Sequence, residues 1–358
     1  MPFSYTSLIG IENLFQAWDE FKKGKRRKID VQTYERNLED NLFELHRRLK
    51  NKTYKHGGYQ EFWVNDPKRR RIHKAVVEDR IVHHLLYKYL YDVFDKTFIY
   101  DSYSCRIGKG THKAVKRLEA FSRKLSRNYT QDFWALKLDI KQFFANVDYQ
   151  ILKQLIRKKV TDGGILRLLD EVIDSFSHCH SGERSDSRIG FWTSQNDEHD
   201  KGIPLGNLTS QIFANIYLNE LDQFVKQTLK IRYYLRYADD FVILDRAHQS
   251  TDVFAKFLHR NLKLELHPNK ITLRKFSWGI DFCVYVVLPH YVLPRAKTKR
   301  RILKKILIEK IQEQSLQSYL GYFSHVNAFK ISKEVKNQQY FKSTILFQLP
   351  YTPDTFPA

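Results

Sequence analysis

Asp239 and Asp240 stand side by side in LRYADDFVILDR, Leu235 to Arg246, between apolar runs that otherwise alternate like a sheet strand. Acidic residues are poor strand formers and adjacent carboxylates repel, so the pair needs positive charge nearby. Taken alone, the dipeptide is explained as well by a polar β-turn. A third acid, Asp139, closes the apolar segment FWALKLD. Two carboxylates at a hairpin tip, joined by one at the end of a neighbouring strand, make an oxygen-only site for hard divalent cations, with Mg²⁺ the natural occupant. Two such ions about 4 Å apart activate an attacking hydroxyl and stabilise a departing pyrophosphate, which is the two-metal route to nucleotidyl transfer.

Such a site needs a strand ending near Asp139 and a hairpin turning at Asp239, and the flanking sequence supplies both. Residues 9–60 read as helical and charged, with Leu38, Leu42, Leu45 and Leu49 at helical spacing. FWVNDPKRRRIHKAV reads as a β-hairpin carrying Lys68, Arg69, Arg70 and Arg71 at its tip. A helix from about Glu78 to Phe94 follows, then a loop with Gly108 and Gly110. Thr111 can cap the next helix, whose Ala114, Val115, Leu118 and Phe121 share one face. Residues 179–202 are polar and aperiodic, the pattern of a surface insertion. The next helix, about Ser210 to Val225, places Ile212, Phe213, Ile216, Tyr217, Leu221, Phe224 and Val225 on one stripe. Beyond the hairpin come LELHPNK and the apolar strand IDFCVYVV, and from Lys297 the chain is strongly basic and helical.

The chain has 358 residues, enough for a sizeable core and two or three domains. Its 61 Lys+Arg against 40 Asp+Glu give a formal charge of +21, spread from Lys22 to Lys342. That excess is the footprint of a polyanion binder, and the 25 Phe and 21 Tyr suit stacking on bases as well as core packing. Cys105, Cys179 and Cys283 form no C-x-x-C pair, so neither a disulfide framework nor a cysteine zinc site is expected. His178, Cys179 and His180 alternate in a short polar stretch, which does not make a four-ligand site. No apolar run has the length to span a bilayer and the N-terminus lacks signal-peptide regions, so a cytoplasmic protein with no membrane contact is expected.

YADD, Tyr237 to Asp240, inside a strand-turn-strand and preceded by LDIKQFF with Asp139, resembles the palm of a reverse transcriptase. The likeness runs from about residue 60 to 335. It implies an α+β, right-hand polymerase fold: N-terminal helices and fingers over 1–136, a palm of antiparallel sheet with helices over 137–290, and a helical thumb with a tail over 291–358. It implies RNA-directed DNA polymerase activity with two Mg²⁺ held by Asp139 and Asp239, Asp240 being the supporting acid, and with template RNA, RNA/DNA hybrid and dNTPs as partners. Phe144, five residues after Asp139, occupies the place of the aromatic that abuts the sugar of the incoming nucleotide and clashes with a 2′-hydroxyl, while Phe143 fits a core role better. The hairpin PKRRRIHKA is similar to the strands that grip the triphosphate, Lys68 and Arg71 matching best, though four successive basic residues leave the register open. HPNK resembles the motif whose lysine approaches the leaving pyrophosphate, which makes Lys270 a candidate. GIDFCVYVV looks like the primer-grip hairpin, and SYLGYFSHVNAFK like thumb helices that lie along the duplex and read its shape and backbone.

The subtype is indicated by IPLGNLTSQIFANIYLNELD. Most relatives carry Gln-Gly-x-x-x-Ser-Pro there, whereas this chain places Leu205 and Gly206 first and Gln211 last. That pattern, with DRIVHHLL and GKGTH, is similar to reverse transcriptases of diversity-generating retroelements. The resemblance implies a small, basic, ring-forming accessory protein and misincorporation opposite template adenines, yielding mutagenised cDNA that diversifies a target gene. Leu205 fits low fidelity because an alkyl chain supplies none of the hydrogen bonds of Gln, although it can also be simply a packing residue. Other group II intron-like reverse transcriptases, of the retron, maturase or phage-defence type, are the alternatives. The Asn-Ala-x-x-His and Val-Thr-Gly sequences of retrons are not found, and the chain stops soon after the thumb, leaving no room for a maturase's further domains. A non-catalytic RNA-binding protein on the same fold is the remaining alternative, and the presence of all three acids argues against it.

Overall fold

The computed structural model describes residues 4–65, 69–181, 200–247, 250–308, 313–327 and 333. The chain divides into two compact units, one of Met1–Gly110, Lys137–Ile243 and Gln249–Thr272, the other of Thr111–Leu136, Leu244–His248 and Leu273–Ala358.

The first unit begins with a short helix, α1 (Tyr5–Leu8), and then α2 (Ile11–Lys22), α3 (Ile29–Arg36) and α4 (Leu38–Lys50). The helical reading of 9–60 thus resolves into three helices with an extended end. Gly24, at φ +71°, breaks the chain after α2, and residues 53–58 around Gly57 and Gly58 run without helix into the first strand. Leu14, Ala17, Trp18 and Phe21 recur every three or four residues and are buried where α2 packs on α5 (Val77–Phe94). Removing rings such as Trp18 and Phe21 from water contributes roughly 1.5–3 kcal/mol each, an upper estimate because the unfolded chain is already partly compact.

Strands β1 (Tyr59–Val64) and β2 (Arg70–Ala75) form the expected basic hairpin, in the register Trp63↔Arg71 and Val64↔Arg70. Arg70 and Arg71 therefore belong to the strand and not to the tip. A four-stranded sheet has the order β4-β5-β3-β6, with β3 spanning Trp134–Asp139, β4 Tyr234–Tyr237, β5 Asp240–Asp245 and β6 Thr272–Lys275. Strands β4 and β5 pair antiparallel across a two-residue turn, Ala238 and Asp239. The mixed helix and antiparallel sheet is the expected α+β class.

Helices α7 (Tyr149–Arg157), α8 (Gly163–Ser181), α9 (Leu208–Gln223) and α10 (Asp252–Leu262) also lie in the first unit, whereas the strand residues 134–136, 244–245 and 273–275 are counted in the second. Because α8 continues through Ser181, the polar segment expected from 179 begins inside a helix, and residues 182–199 lie outside those described. Helix α9 is buried on nearly all sides, not on one stripe, because α5, α7 and α10 all pack against it. Its polar Thr209, Asn215 and Asp222 are buried because each has a partner of matching chemistry.

In the second unit, α6 (Thr111–Leu125) buries Ala114, Val115, Leu118 and Phe121, the face read from the sequence. Strands β7 (Ile280–Phe282), β8 (Tyr285–Leu288) and β9 (Tyr291–Pro294) form an antiparallel sheet. The first two are the expected hairpin; the third adds to its edge. Helices α11 (Ala296–Ile308) and α12 (Glu313–Ser324) pack through Ile302, Ile306 and Phe323. The residues after Ser324 in the thumb-like motif are described only as far as Asn327. Among the described residues no helix is long and apolar enough to cross a membrane.

Candidate active site

Asp139 is the last residue of β3, Asp239 sits in the β4–β5 turn and Asp240 opens β5. The backbone joins them, since the Ile140 N–H donates to the Asp239 carbonyl at 3.4 Å. Alternation along β3 puts Lys137 on the same face as Asp139. Lys137 Nζ lies 3.4 Å from Asp240 Oδ2, and Lys270 Nζ donates to Asp139 Oδ1 at 2.6 Å. The positive charge demanded by the paired acids is thus supplied in part by two lysines.

It does not neutralise the cluster. Burial, followed by the negative charge of Asp139, raises the Asp239 pKa. Burial raises that of Asp240 to about 6 against the opposing pull of Lys137, with Asp139 and Asp239 adding to the rise. Oδ1 of Asp240 is buried and accepts no hydrogen bond. Carboxylates forced together with an unused oxygen suit a divalent cation, and the all-oxygen donor set matches Mg²⁺. Among the described residues no group of three or more His, Cys, Asp and Glu forms a ready-made metal cage. That is compatible with Mg²⁺, which is usually bound through one or two carboxylates, with waters and substrate phosphates completing its octahedron.

Directly after β3, Gln142 takes a left-handed conformation at φ 46° and turns the chain. Phe143 then enters the core at 2% exposure, its ring 6.3 Å from that of Tyr217, while Phe144 remains half-buried. The Phe144 carbonyl accepts from the Ile203 N–H at 2.7 Å, which ties this turn to the segment leading to Leu205. Leu205 is half-buried and its carbonyl accepts from the His73 N–H at 3.0 Å, while buried Asn207 returns a side-chain hydrogen bond to the His73 carbonyl at 3.0 Å. Gly206 between them has φ +116°, and a Cβ there would lie 2.7 Å from Ile72 Cγ2, so only glycine fits the close approach to β2. Gln211 is exposed in the first turn of α9.

The structure brings Asp139, Asp239, Asp240 and Lys270 together and links the Phe144 turn to the Leu205 loop. Arg71 is instead ion-paired with Glu61 on the neighbouring strand, and Lys68 lies outside the described residues. Among the described hairpin residues it is Arg70, on the opposite face of β2, whose charge opposes the rise in the Asp239 pKa, without overcoming the larger effects of burial and Asp139. Sequence reasoning also passed over His73, Asn207, Lys137 and Arg236. The signal for Lys137 and Arg236 was present: each is a charge inside an apolar strand, two or three residues before an acid of the cluster.

These elements define the right-hand polymerase fold. A telomerase structure from Candida albicans, in complex with a TWJ fragment of telomeric RNA, superposes with a TM-score of 0.50 at 12% identity, over 76% of this chain and 51% of that one. Residues 55–323 match the family Reverse transcriptase (RNA-dependent DNA polymerase), and the chain belongs to that family. Among curated relatives, the Group II intron-encoded protein LtrA of Lactococcus lactis is 22% identical over 69% of this chain and 49% of its own length. The Retron Ec73 reverse transcriptase of Escherichia coli is 22% identical over 64% of this chain and 72% of its own. The chain spans about half of LtrA and less than two thirds of most of the curated relatives that it matches.

Proposed function

We propose that the protein is an RNA-directed DNA polymerase of the diversity-generating type, copying a template RNA into cDNA that carries errors opposite template adenines. The observation that supports polymerase chemistry is the meeting of Asp139, Asp239 and Asp240 where β3 ends and the β4–β5 hairpin turns. In this reading Asp139 and Asp239 hold two Mg²⁺ and Asp240 supports them. The ions, when bound, supply Lewis acidity to the primer 3′-hydroxyl and the departing pyrophosphate. In the same reading Lys270, which donates to Asp139, would exchange that partner for the pyrophosphate as negative charge develops there. Arg70 and Arg71 on the hairpin, and Lys68 by the sequence likeness alone, are assigned to the triphosphate, and Gly206 and Gln211 to the nucleotide with Leu205. The partition is fingers, palm and thumb over 1–136, 137–290 and 291–358, and a basic, ring-forming accessory protein works with the enzyme in the cytoplasm.

Phe144 is assigned to the sugar of the incoming nucleotide. Phe144→Ala is expected to raise ribonucleotide incorporation on the order of a hundredfold, since an added hydroxyl is rejected only where something blocks it. Primer extension with rNTPs as sole substrate measures this, and equal exclusion by both proteins places the gate elsewhere.

Leu205 is assigned to low fidelity. Leu205→Gln is expected to lower the error frequency at template adenine about tenfold, which corresponds to about 1.4 kcal/mol, within reach of one or two hydrogen bonds. The deciding quantity is the error frequency at adenine relative to the other three bases, so a slower enzyme still gives an answer. Sequenced products of extension on an adenine-containing RNA, made alone and with the product of the neighbouring gene, test the whole reading. Accurate copying at adenine in both reactions favours the second reading, a group II intron-like enzyme of the kind suggested by the likeness to LtrA and the Ec73 enzyme.

A further inference from the structure

Strand β4 contains a charge with no access to solvent. Arg236 is 0% exposed, as are Asp222 on α9 and Tyr234 on its own strand. The guanidinium grips Asp222 with both edges, Nε to Oδ1 at 2.8 Å and Nη2 to Oδ2 at 2.7 Å, and Tyr234 donates to the same Oδ1 at 2.6 Å. Nη2 also donates to Ser102 Oγ at 3.1 Å, and Nη1 to Asn215 Oδ1 at 3.4 Å. The backbone of Arg236 is fixed as well, its N–H donating to the Asp101 carbonyl and its carbonyl accepting from the Tyr103 N–H, both at 3.0 Å.

One contact faces the other way. Nη1 donates to the Ala238 carbonyl at 3.0 Å. That carbonyl belongs to the peptide group whose N–H is that of Asp239, and Ala238 holds the left-handed φ of 54° that turns the hairpin. An L-residue adopts this conformation readily only when its surroundings enforce it. A buried ion pair is an inefficient source of stability, because apolar residues of similar volume often serve as well, so stability alone does not account for Arg236. Lysine could carry the charge but not the fork, which reaches Asp222, Ser102, Asn215 and Ala238 together.

We propose that Arg236 is a positioning residue that fixes the Ala238–Asp239 peptide plane, and with it the Asp239 carboxylate, by anchoring the turn to α9 through Asp222 and to the 101–104 segment through Ser102. The inference rests on the assignment of Asp239 to the reaction, which Asp239→Asn tests separately.

The decisive protein is the full chain carrying Arg236→Met, Asp222→Leu and Tyr234→Phe together, which removes the buried charges while keeping apolar volume. It is expected to fold with unchanged helix content and to bind RNA as the parent does. Its kcat for DNA synthesis should fall about a hundredfold, the effect of a misplaced reacting group, with KM for dNTP within about threefold. Arg236→Lys should lie between the two, and Tyr234→Phe should lower kcat severalfold with the melting temperature unchanged. Parental kcat in the folded triple variant overturns the proposal. So does a loss of kcat that comes with a matching loss of RNA binding and helix content, which marks a purely structural role. Should the triple variant not fold, parental kcat in Tyr234→Phe and Ser102→Ala overturns it as well. If Asp239→Asn is itself active, the assignment of Asp239 has failed; if that variant is dead and the triple variant is fully active, only the inference about Arg236 has.

Discussion

Asp239→Asn is expected to reduce Mg²⁺-dependent DNA synthesis at least about a thousandfold, equivalent to ~4 kcal/mol of transition-state stabilisation, while RNA affinity stays within about threefold. The amide keeps the shape of the side chain and removes the charge that would balance a cation beside Asp139. Stability should be unchanged or higher. Burial and the charge of Asp139 raise the Asp239 pKa in the folded state, so ionising this acid costs folding free energy above that pKa and costs none below the unfolded value. Asparagine is neutral at every pH and removes the penalty. Asp139→Asn should be equally inactive, but it strands the Lys270 ammonium, which now lies 2.6 Å from Asp139 Oδ1, and so should gain no stability. Primer extension, an RNA-binding isotherm and a thermal melt on each variant measure the three quantities. Undiminished extension by Asp239→Asn removes the acid from the chemistry.

RNA affinity should fall about a thousandfold or more between about 50 mM and about 200 mM salt, linearly on a double-logarithmic plot, if about eight phosphates are neutralised. The net charge of +21 is the reason. Exposed Lys23, Arg26, Arg27 and Lys28 follow α2, Arg69 and Arg70 are exposed on the β1–β2 hairpin, and Lys297, Arg300 and Lys304 are exposed on α11. Phosphate contacts of this kind release condensed counterions, and the slope of the plot counts them, about 0.7 per phosphate on a single strand. Replacing Arg26, Arg27 and Lys28 with Gln should shallow the slope by about two if that loop lies on the RNA. A flat plot for the parent protein contradicts the use assigned to the basic surface.

Much of the site could be read from local pattern. The alternation in LRYADDFVILD fixes a strand, a turn and a strand, and the apolar run FWALKL leads to Asp139; both depend on neighbours in the chain, which a sequence displays directly. Pairings between distant residues were not legible in this way. Lys270 meets Asp139 across 131 positions, and Asn207 meets the His73 backbone across 134. The basic hairpin illustrates the difference. Its existence follows from apolar flanks around a Pro, but four successive cations cannot reveal which faces the acids. The pairing Val64↔Arg70 puts both Arg70 and Arg71 in the strand, on opposite faces; Arg71 is held by Glu61, while the charge of Arg70 is felt at Asp239. Helix α9 departs from its single apolar stripe for a related reason: Thr209, Asn215 and Asp222 are buried beside His83, Ser104 and Arg236, partners that lie far away in the chain or on another element.

The neighbouring placement of Asp139 and Asp239, 100 residues apart in the chain, has a consequence for how the molecule is made. Helices such as α5 and α9 draw on nearby residues and can form early, whereas the junction of β3 with the β4–β5 turn must close a long stretch of chain before any favourable contact compensates the lost entropy. Function should therefore be among the last properties acquired during refolding. Far-ultraviolet helix signal should return first, with primer extension lagging behind it, and a ribosome-bound nascent chain should remain inert until residues well past Asp239 have emerged.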